Sequence, residues 1–365
     1  MIVFISSFIS PHTQPLCLAL KKRGEEVCFI SLSKLTRERK ELGYEQAMDD
    51  IEIISYKDNP KKCNDLIISA DVVLFSHFQV ELLKKRCDAG KLTFLYSERI
   101  FKKGILKFLD RRLYKQWIFN IKNKNNNVYL LSIGNKCVSD FKFLGFNKNK
   151  IFSFGYFPKT FYYDEQDLVR NNPQVEMLWV GRFVGFKRLQ FALKTIRRVY
   201  SIQRGFHLTV IGDGKKFKNA QKYINKYNLP ITLKGKQPQS KVREAMLKSD
   251  IMLCTSSGGE GWGAVINEAM NCGCCVVCSE AAGGSALLKD GNNGFIFKAK
   301  NEFLEKLLYA LNNLEWRLFA GKNAYRTITE IWNEDFAAGE LIELIKELGS
   351  SKLLSSKKIL NPTNR

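Results

Sequence analysis

The chain has 365 residues, and at roughly 150 residues per domain this length predicts two domains. Hydrophobic residues make up 45% and charged residues 26%, a composition that excludes a disordered or fibrous chain. The 58 lysines and arginines against 36 acidic residues give a net charge of +22, which favours an anionic partner: nucleic acid, an anionic membrane surface or a phosphorylated substrate.

Short apolar runs alternate with amphipathic segments along most of the chain, which is typical of a doubly wound α/β fold. In the first half, a helix over Leu16–Arg23 is predicted to end at Gly24. The predicted strands of this half are Ile2–Ser6, Val27–Ser31, Val72–Phe75, Leu92–Tyr96 and Val128–Ser132.

The periodicity lapses over residues 159–175, where proline, asparagine and aspartate predict a linker. A second α/β series then begins, and its last helices extend to about Leu348. Its predicted strands are Met177–Val180, His207–Ile211, Ile231–Leu233, Ile251–Cys254 and Cys275–Cys278. Ligands of such sheets bind beyond the carboxyl ends of the strands, so we expect a site there, in a cleft between the two lobes.

No apolar run reaches the roughly 18 residues of a membrane span, and the N-terminus lacks the basic lead and cleavage site of a signal peptide. We therefore expect a cytoplasmic protein whose ten cysteines are thiols. Four of these cysteines are clustered within residues 272–278, running from a helix end into a strand. A zinc site usually draws on two separated pairs, so no metal site is expected.

The most informative stretch runs from Ser256 to Met270 and holds four glycines and two acids, Glu260 and Glu268. It lies between a predicted strand and a predicted helix, a context in which backbone N–H groups converge on a phosphate. Carboxylates beside such a site would bind sugar hydroxyls, because they accept hydrogen bonds from vicinal diols. From these local features alone, a loop with two solvated acids is the alternative.

A second element, Gly181–Arg188, places Arg182 just after a predicted strand and Lys187 near the start of the next helix. Both cations are expected at the carboxyl end of the sheet, where they could neutralise a diphosphate. Taken alone, this element could equally be a solvated basic turn.

Together these motifs resemble glycosyltransferase family 4, a large retaining group with the GT-B fold. The chain contains the family's E-x7-E pattern, its Gly-Arg…Lys motif and its glycine turns. The matching positions are Gly181, Arg182 and Lys187, then Gly212 and Gly214, then Glu260 and Glu268, and the turn 282–284. Parts of the first half resemble a subgroup from bacterial surface-polysaccharide pathways.

The resemblance implies an α/β protein of GT-B fold, with two Rossmann-like lobes whose parallel sheets face across a cleft. The implied divisions are an acceptor-binding domain at 1–158, the linker at 159–175, a donor-binding domain at 176–330, a helix at about 331–348 that packs back on the first domain, and a flexible tail at 349–365.

The implied activity is transfer of a hexose-type sugar from a nucleotide-diphosphate sugar to a sugar or lipid-linked glycan acceptor, with no metal and no other cofactor. By the same resemblance, Arg182 and Lys187 would bind the diphosphate. Glu268 would hold the ribose, and Glu260 would face the transferred sugar. The donor would be lined by Gly212, Gly214 and the backbone of Gly261, Trp262, Gly263 and Ala264.

Three residues of the first lobe are further candidates. His77 follows a predicted strand, and many family members have a histidine there that meets the donor sugar; a loop histidine is the alternative. His12 follows the first strand and Glu98 follows the strand Leu92–Tyr96, so both are expected near the acceptor. For Glu98 the alternative is a favourable charge at a helix N-terminus.

The segment Arg99–Lys124 contains nine cations and one acid, Asp110, with apolar residues at helical spacing. A basic amphipathic helix with a tryptophan, here Trp117, is typical of helices that bind anionic lipid. The alternative is a core-facing helix with a solvated basic face. We expect a peripheral contact with an anionic membrane, such as the inner face of the cytoplasmic membrane.

Other functions stay open at this point. An epimerase or hydrolase of GT-B fold would consume a nucleotide sugar without an acceptor. A nucleic-acid-binding protein is suggested only by the net charge, and because aromatic residues do not alternate with the basic runs as stacking platforms, no nucleic-acid partner is expected. The lack of a Gly-x-Gly-x-x-Gly after the first strand disfavours an NAD-dependent dehydrogenase.

Overall fold

Two parallel β-sheets, each with its own helices, make up the computed structural model of the chain. It describes residues 1–36, 50–76, 78–102, 110–170 and 172–349. The chain divides into unit 1, which is Met1–Lys159 with Asn333–Arg365, and unit 2, which is Thr160–Trp332.

Unit 1 contains a seven-stranded parallel sheet with the strand order β3-β2-β1-β4-β5-β6-β7. Its strands are β1 (Ile2–Ser6), β2 (Val27–Ser31), β3 (Glu52–Ser55), β4 (Val72–Phe75), β5 (Leu92–Glu98), β6 (Val128–Ile133) and β7 (Ile151–Phe154). Its helices are Gln14–Lys22, Pro60–Ser69, Val80–Asp88, Arg111–Lys122, Asn135–Phe143 and Glu334–Gly349, with a 3-10 turn at Lys148–Lys150. The central strands are buried on both faces, which is why each is a continuous apolar run in the sequence.

Unit 2 contains a six-stranded parallel sheet with the order β10-β9-β8-β11-β12-β13. Its strands are β8 (Val175–Val180), β9 (Phe206–Ile211), β10 (Ile231–Leu233), β11 (Ile251–Cys254), β12 (Cys275–Ser279) and β13 (Gly294–Phe297). Its helices are Glu165–Leu168, Leu189–Ile202, Phe217–Lys226, Gln239–Leu247, Val265–Asn271, Lys300–Asn312 and Leu314–Arg326, with 3-10 turns at Gly185–Lys187 and Gly283–Leu287 and a π-turn at Thr327–Ile331. Their apolar faces cover the sheet and close a separate core.

The predicted fold class, α/β with two lobes of parallel sheet, is confirmed. Every predicted strand is present within two residues of its predicted bounds. The sequence did not reveal β3, β7 or β13, and all three are edge strands. Each of these three strands has only four residues, one or two of which are glycine, serine or glutamate, so its apolar run is short.

The C-terminal helix Glu334–Gly349 belongs to unit 1, where it packs on the helix Gln14–Lys22. Arg23 donates a hydrogen bond to the carboxylate of Asp335 at 2.8 Å and so joins the two helices. The chain therefore returns to its first unit after completing the second. Of the tail predicted at 349–365, residues 350–365 lie outside the described ranges.

Most of the stretch interpreted as a linker lies in unit 2, which begins at Thr160. Arg170 fixes this stretch, because its guanidinium donates hydrogen bonds to the carbonyls of Leu247 and Gly273, both at 3.0 Å. These carbonyls lie at the C-terminal ends of two helices, where a cation is favourable.

The ten cysteines are free thiols, and nine of them are buried. Among the described residues there is no group of three or more histidine, cysteine or acidic side chains arranged to hold a metal ion. Within the same ranges, no helix is both long enough and apolar enough to cross a membrane.

Candidate functional site

The site begins at the point in the unit 2 sheet where the strand order reverses. There β8 pairs with β11, and the connections that leave their carboxyl ends run to opposite sides. The basic turn, residues 181–188, follows β8, and the glycine-rich loop, residues 256–264, follows β11. Strand pairing therefore brings together two motifs that are some 70 residues apart in the sequence.

Hydrogen bonds join the basic turn to the start of the glycine-rich loop. The N–H of Ser257 donates to the carbonyl of Phe186 at 2.7 Å, and the Thr255 hydroxyl donates to the carbonyl of Lys187 at 3.0 Å. The same hydroxyl accepts a hydrogen bond from the indole of Trp179 on β8 at 3.0 Å. These contacts fix the backbone that carries Lys187.

Lys187 and Glu260 form an ion pair between the two motifs. The Lys187 Nζ lies 2.5 Å from Glu260 Oε2, and the two side chains are only 14% and 12% exposed. Ser256 donates a further hydrogen bond to the same carboxylate oxygen at 2.9 Å. An ammonium group has three donors, so Lys187 can bind a second anion beside Glu260.

The glycine-rich loop turns its carbonyls towards the turn 282–284. The N–H groups of Gly283 and Gly284 donate to the carbonyls of Gly261 and Trp262 at 2.9 and 2.7 Å. A Cβ at Gly283 would lie 2.4 Å from the Gly261 carbonyl oxygen, so only glycine fits. Within the described part of the chain, nothing accepts a hydrogen bond from the N–H of Gly261, Gly263 or Ala264. These donors lie just before the helix Val265–Asn271, where positive potential favours an anion.

Gly212 and Gly214 set the position of the basic turn. Gly212 has a φ of +136°, and a Cβ there would lie 1.9 Å from the Gly181 carbonyl oxygen. At Gly214, with a φ of +150°, a Cβ would lie 3.1 Å from the carbonyl oxygen of Phe183. In the structure, Gly212 and Gly214 thus allow the backbone of the basic turn to approach closely. Arg182, between these contacts, has an exposed side chain.

Glu268 lies in the helix that follows the loop and is partly shielded from water. Gln239 donates a hydrogen bond to its Oε1 at 3.3 Å. Burial raises the pKa of Glu268 to about 7, although Gln239, Arg243 and Lys187 all act in the opposite direction. The Arg243 guanidinium is itself held 3.8 Å from the ring of Phe161.

The structure also shows which part of Trp262 is available to a ligand. Its side chain is buried, donates a hydrogen bond to Asn267 at 2.7 Å and stacks on Trp332 with ring centroids 5.7 Å apart. Only the backbone of Trp262 can line the site, which is the part that the resemblance implied.

The first-lobe candidates lie in unit 1. The ring of His12 stacks on Tyr156 at 5.3 Å, and its buried Nδ1 has no hydrogen-bond partner among the described residues. Burial lowers the pKa of His12 to about 4, so the ring is neutral at pH 7, while the charge of Glu98 acts in the opposite direction. Glu98 pairs with Lys102. His77 lies outside the described residues.

Four residues of unit 2 that contact this site or act on its charge were not among the sequence candidates: Thr255, Ser256, Gln239 and Arg243. Thr255 and Ser256 directly follow β11, so their position at a strand end was a usable signal. Gln239 and Arg243 are one helical turn apart and share a helix face, but only the tertiary structure places that face beside Glu268.

A family comparison covers the part of the chain that holds this site. The model described as Glycosyl transferases group 1 matches residues 163–327, which lie within unit 2. An uncharacterized glycosyltransferase of Methanocaldococcus jannaschii is 32% identical over 149 residues, which are 40% of this chain and 41% of that protein. A second one from the same organism is 25% identical over 48% of this chain and 46% of its own length. The chain thus spans less than half the length of these relatives.

Solved structures match almost the whole chain. HepE of Anabaena in complex with UDP has a TM-score of 0.70 at 13% identity, covering 95% of this chain and 99% of that one. The lipopolysaccharide outer core galactosyltransferase WaaB has a TM-score of 0.69 at 18% identity, covering 96% and 99%. The fold is therefore GT-B, as the resemblance implied.

The unusual pKa of Glu268 can be measured directly. We expect its carboxyl group to titrate near pH 7 in ¹³C NMR spectra of the protein. Arg243→Ala should raise this pKa further, because the guanidinium charge favours the carboxylate. The assignment is checked by loss of the signal in Glu268→Gln, and the exposed Lys300→Ala is the control. A Glu268 pKa near the usual 4.5, or one unchanged by Arg243→Ala, would contradict the electrostatic account.

Proposed function

We propose that this protein is a retaining glycosyltransferase that moves a hexose-type sugar from a nucleotide-diphosphate sugar to a sugar or lipid-linked glycan acceptor. The observation that carries the proposal is the Lys187–Glu260 pair, 2.5 Å apart, beside a glycine-rich loop where the N–H groups of Gly261, Gly263 and Ala264 find no acceptor among the described residues. One site thus offers a cation for phosphate, N–H donors for phosphate oxygens and a carboxylate for sugar. The UDP bound to HepE, a protein of the same fold, supports a nucleotide-linked donor.

Donor binding would redistribute the charges of this site. The diphosphate approaches the N–H groups of the glycine-rich loop and takes hydrogen bonds from Lys187 on the side away from Glu260. The exposed guanidinium of Arg182 can then bind phosphate oxygens through two parallel N–H groups. Glu268, one helical turn beyond the loop, would accept hydrogen bonds from the ribose hydroxyls.

Retention would follow from a front-face displacement. The bond between the anomeric carbon and the phosphate oxygen breaks, and its electron pair stays on the leaving diphosphate. The acceptor hydroxyl oxygen bonds to the anomeric carbon from the same face, and its proton passes to the leaving phosphate. Arg182 and Lys187 stabilise the growing negative charge, while Glu260 faces the positive charge on the sugar.

This arrangement does not call for a divalent cation, because two cations and a set of N–H donors already oppose the diphosphate charge. We therefore propose that neither a metal nor another cofactor takes part, and that turnover persists in excess chelator. Activity that chelator abolishes and added Mn²⁺ restores would contradict this point.

Unit 1 would supply the acceptor contacts. His12 presents a neutral ring whose buried Nδ1 finds no partner within the described ranges, and the charge of Glu98 acts on this ring. A role in bacterial surface-polysaccharide synthesis is supported by the fold shared with WaaB, whose own name assigns it to the lipopolysaccharide outer core. Membership of family 4 within the group is part of the same proposal.

Substitution of Glu260 and of Glu268 should change different kinetic parameters. Glu260→Gln should lower kcat by about 100-fold, because the carboxylate acts on charge that develops in the transition state. Glu268→Gln should mainly raise the KM of the donor, because ribose contacts are equally strong in the ground and transition states. Arg182→Ala should impair both parameters. The measurement is steady-state kinetics with the donor varied at saturating acceptor.

The exposed Glu305→Gln serves as the matched control for loss of one carboxylate. A wild-type kcat in Glu260→Gln would remove the central role assigned to this residue. Donor consumption at the full rate without acceptor would instead indicate an epimerase or hydrolase.

Membrane contact through the segment Arg99–Lys124 also remains a proposal. Residues 103–109 lie outside the described ranges, but the helix Arg111–Lys122 carries its cations on the exposed side. Tyr114 is 53% exposed on the same helix, whereas Trp117 packs against Phe101, Leu113 and Leu144. Trp117 is thus a core contact, and the exposed cations and Tyr114 would have to bind the lipid headgroups.

Charge reversal tests this surface. Arg111→Glu with Lys115→Glu should abolish co-sedimentation with vesicles that contain phosphatidylglycerol, because both side chains are exposed and each interacts with anionic headgroups. The control is Lys57→Glu with Lys61→Glu, an equal charge change at exposed positions of unit 1. Equal vesicle binding by both double variants at moderate salt would rule out this helix as the membrane contact.

A further inference from the structure

Unit 2 has a second concave surface, which none of the glycosyltransferase motifs touches. It is a groove of about 660 Å³ between the helices Leu189–Ile202 and Phe217–Lys226. Its lining residues are Lys194, Arg197, Arg198, Tyr200, Ser201, Arg204, Tyr223, Tyr227 and Leu229. Four of these are cations and none is acidic, so we call it the basic groove.

The basic groove lies away from the donor site. The loops of that site follow the carboxyl ends of β8 and β11, whereas Arg204 and Leu229 lie just before the amino ends of β9 and β10. The helix Leu189–Ile202 runs from one end of the sheet to the other, and its 14 residues span about 21 Å. A ligand in the groove would therefore not contact the glycine-rich loop.

Two guanidinium groups of the groove are held in place by tyrosine rings. The Arg197 Cζ lies 3.6 Å from the centroid of Tyr227, and the Arg204 Cζ lies 3.5 Å from that of Tyr200. Tyr223 packs on Tyr227 with centroids 4.8 Å apart. A stacked guanidinium keeps its N–H edge available and has already lost much of its side-chain freedom, so it can bind an oxyanion at low entropic cost.

The charge of the groove is not neutralised within the protein. Among the described residues, none of the four groove cations forms an ion pair, although each side chain is exposed. The surrounding sequence cannot supply partners either, since residues 177–243 contain sixteen lysines and arginines and a single acid, Asp213. Such a field attracts anions strongly.

The side chains of the groove favour an anion that accepts many hydrogen bonds. Its polar groups are ammonium, guanidinium and hydroxyl groups, which donate hydrogen bonds, and it has no carboxylate to accept them. Lys194 lies about 12 Å along the helix axis from Ile202, and Arg204 follows two residues beyond that helix end, so the cations are spread over more than one phosphate can span. We infer that the basic groove is a second binding site for a molecule carrying several phosphate groups, either free or as lipid headgroups.

Inorganic tripolyphosphate is the probe for this site, titrated by calorimetry into the full chain at physiological salt. All proteins carry Arg182→Ala, so that the diphosphate site contributes less to the signal. We expect saturable binding that weakens at least tenfold in Arg197→Gln with Arg204→Gln. The matched control, Lys248→Gln with Lys300→Gln, removes two exposed cations elsewhere on unit 2 and should change the affinity less than twofold.

Vesicles of phosphatidylcholine with phosphatidic acid distinguish the sources of phosphate. Co-sedimentation that falls in the groove variant but not in the control identifies lipid headgroups. Unchanged co-sedimentation together with weakened tripolyphosphate binding identifies a free ligand. Equal tripolyphosphate affinity in the two double variants, or no saturable binding, would overturn the inference. Unchanged thermal unfolding verifies that the double variant Arg197→Gln with Arg204→Gln is folded. The binding and co-sedimentation measurements do not depend on the proposed transferase activity.

Discussion

The donor site depends on one ion pair held in a place that water barely reaches. Lys187 and Glu260 come from loops that follow different strands, and in the proposed function each contacts a different half of a sugar phosphate. The ion pair holds only while both loops keep their positions. The hydrogen bonds of Thr255 and Ser257 to the basic turn, and of Ser256 to Glu260, hold them in place.

The parallel sheet of unit 2 makes this arrangement possible. Because β8 and β11 are neighbours whose connections leave in opposite directions, the space beyond their carboxyl ends is open to a ligand. Glycines then bring backbone close to backbone: Gly212 lies against Gly181, and Gly283 lies against Gly261. The loops therefore present N–H groups where side chains would otherwise fill the space.

Much of this site could be predicted from the sequence, because its main residues follow strands that are buried and apolar. Glu260, Lys187 and the glycines were identified by their position after β8, β9 and β11 and by a family resemblance. Gln239 and Arg243 could not be found this way, because a helix face in an exposed segment carries no signal of what it packs against. The edge strands β3, β7 and β13 were missed because glycine, serine or glutamate within their four residues shortens their apolar runs. For the segment Arg99–Lys124 the sequence left a lipid-binding helix and a core-facing helix open; Trp117 packs against a small core cluster, and the membrane contact stays a prediction.

The most direct test of the account is calorimetric titration of UDP, GDP and ADP into the wild-type protein and into Lys187→Ala. The account predicts that at least one of them binds at one site per chain. Its affinity should fall at least tenfold, or about 1.4 kcal/mol, in Lys187→Ala and stay unchanged in the exposed control Lys300→Ala. If none of the three nucleotides binds, or if Lys187→Ala binds as tightly as the wild type, unit 2 does not hold the donor as described.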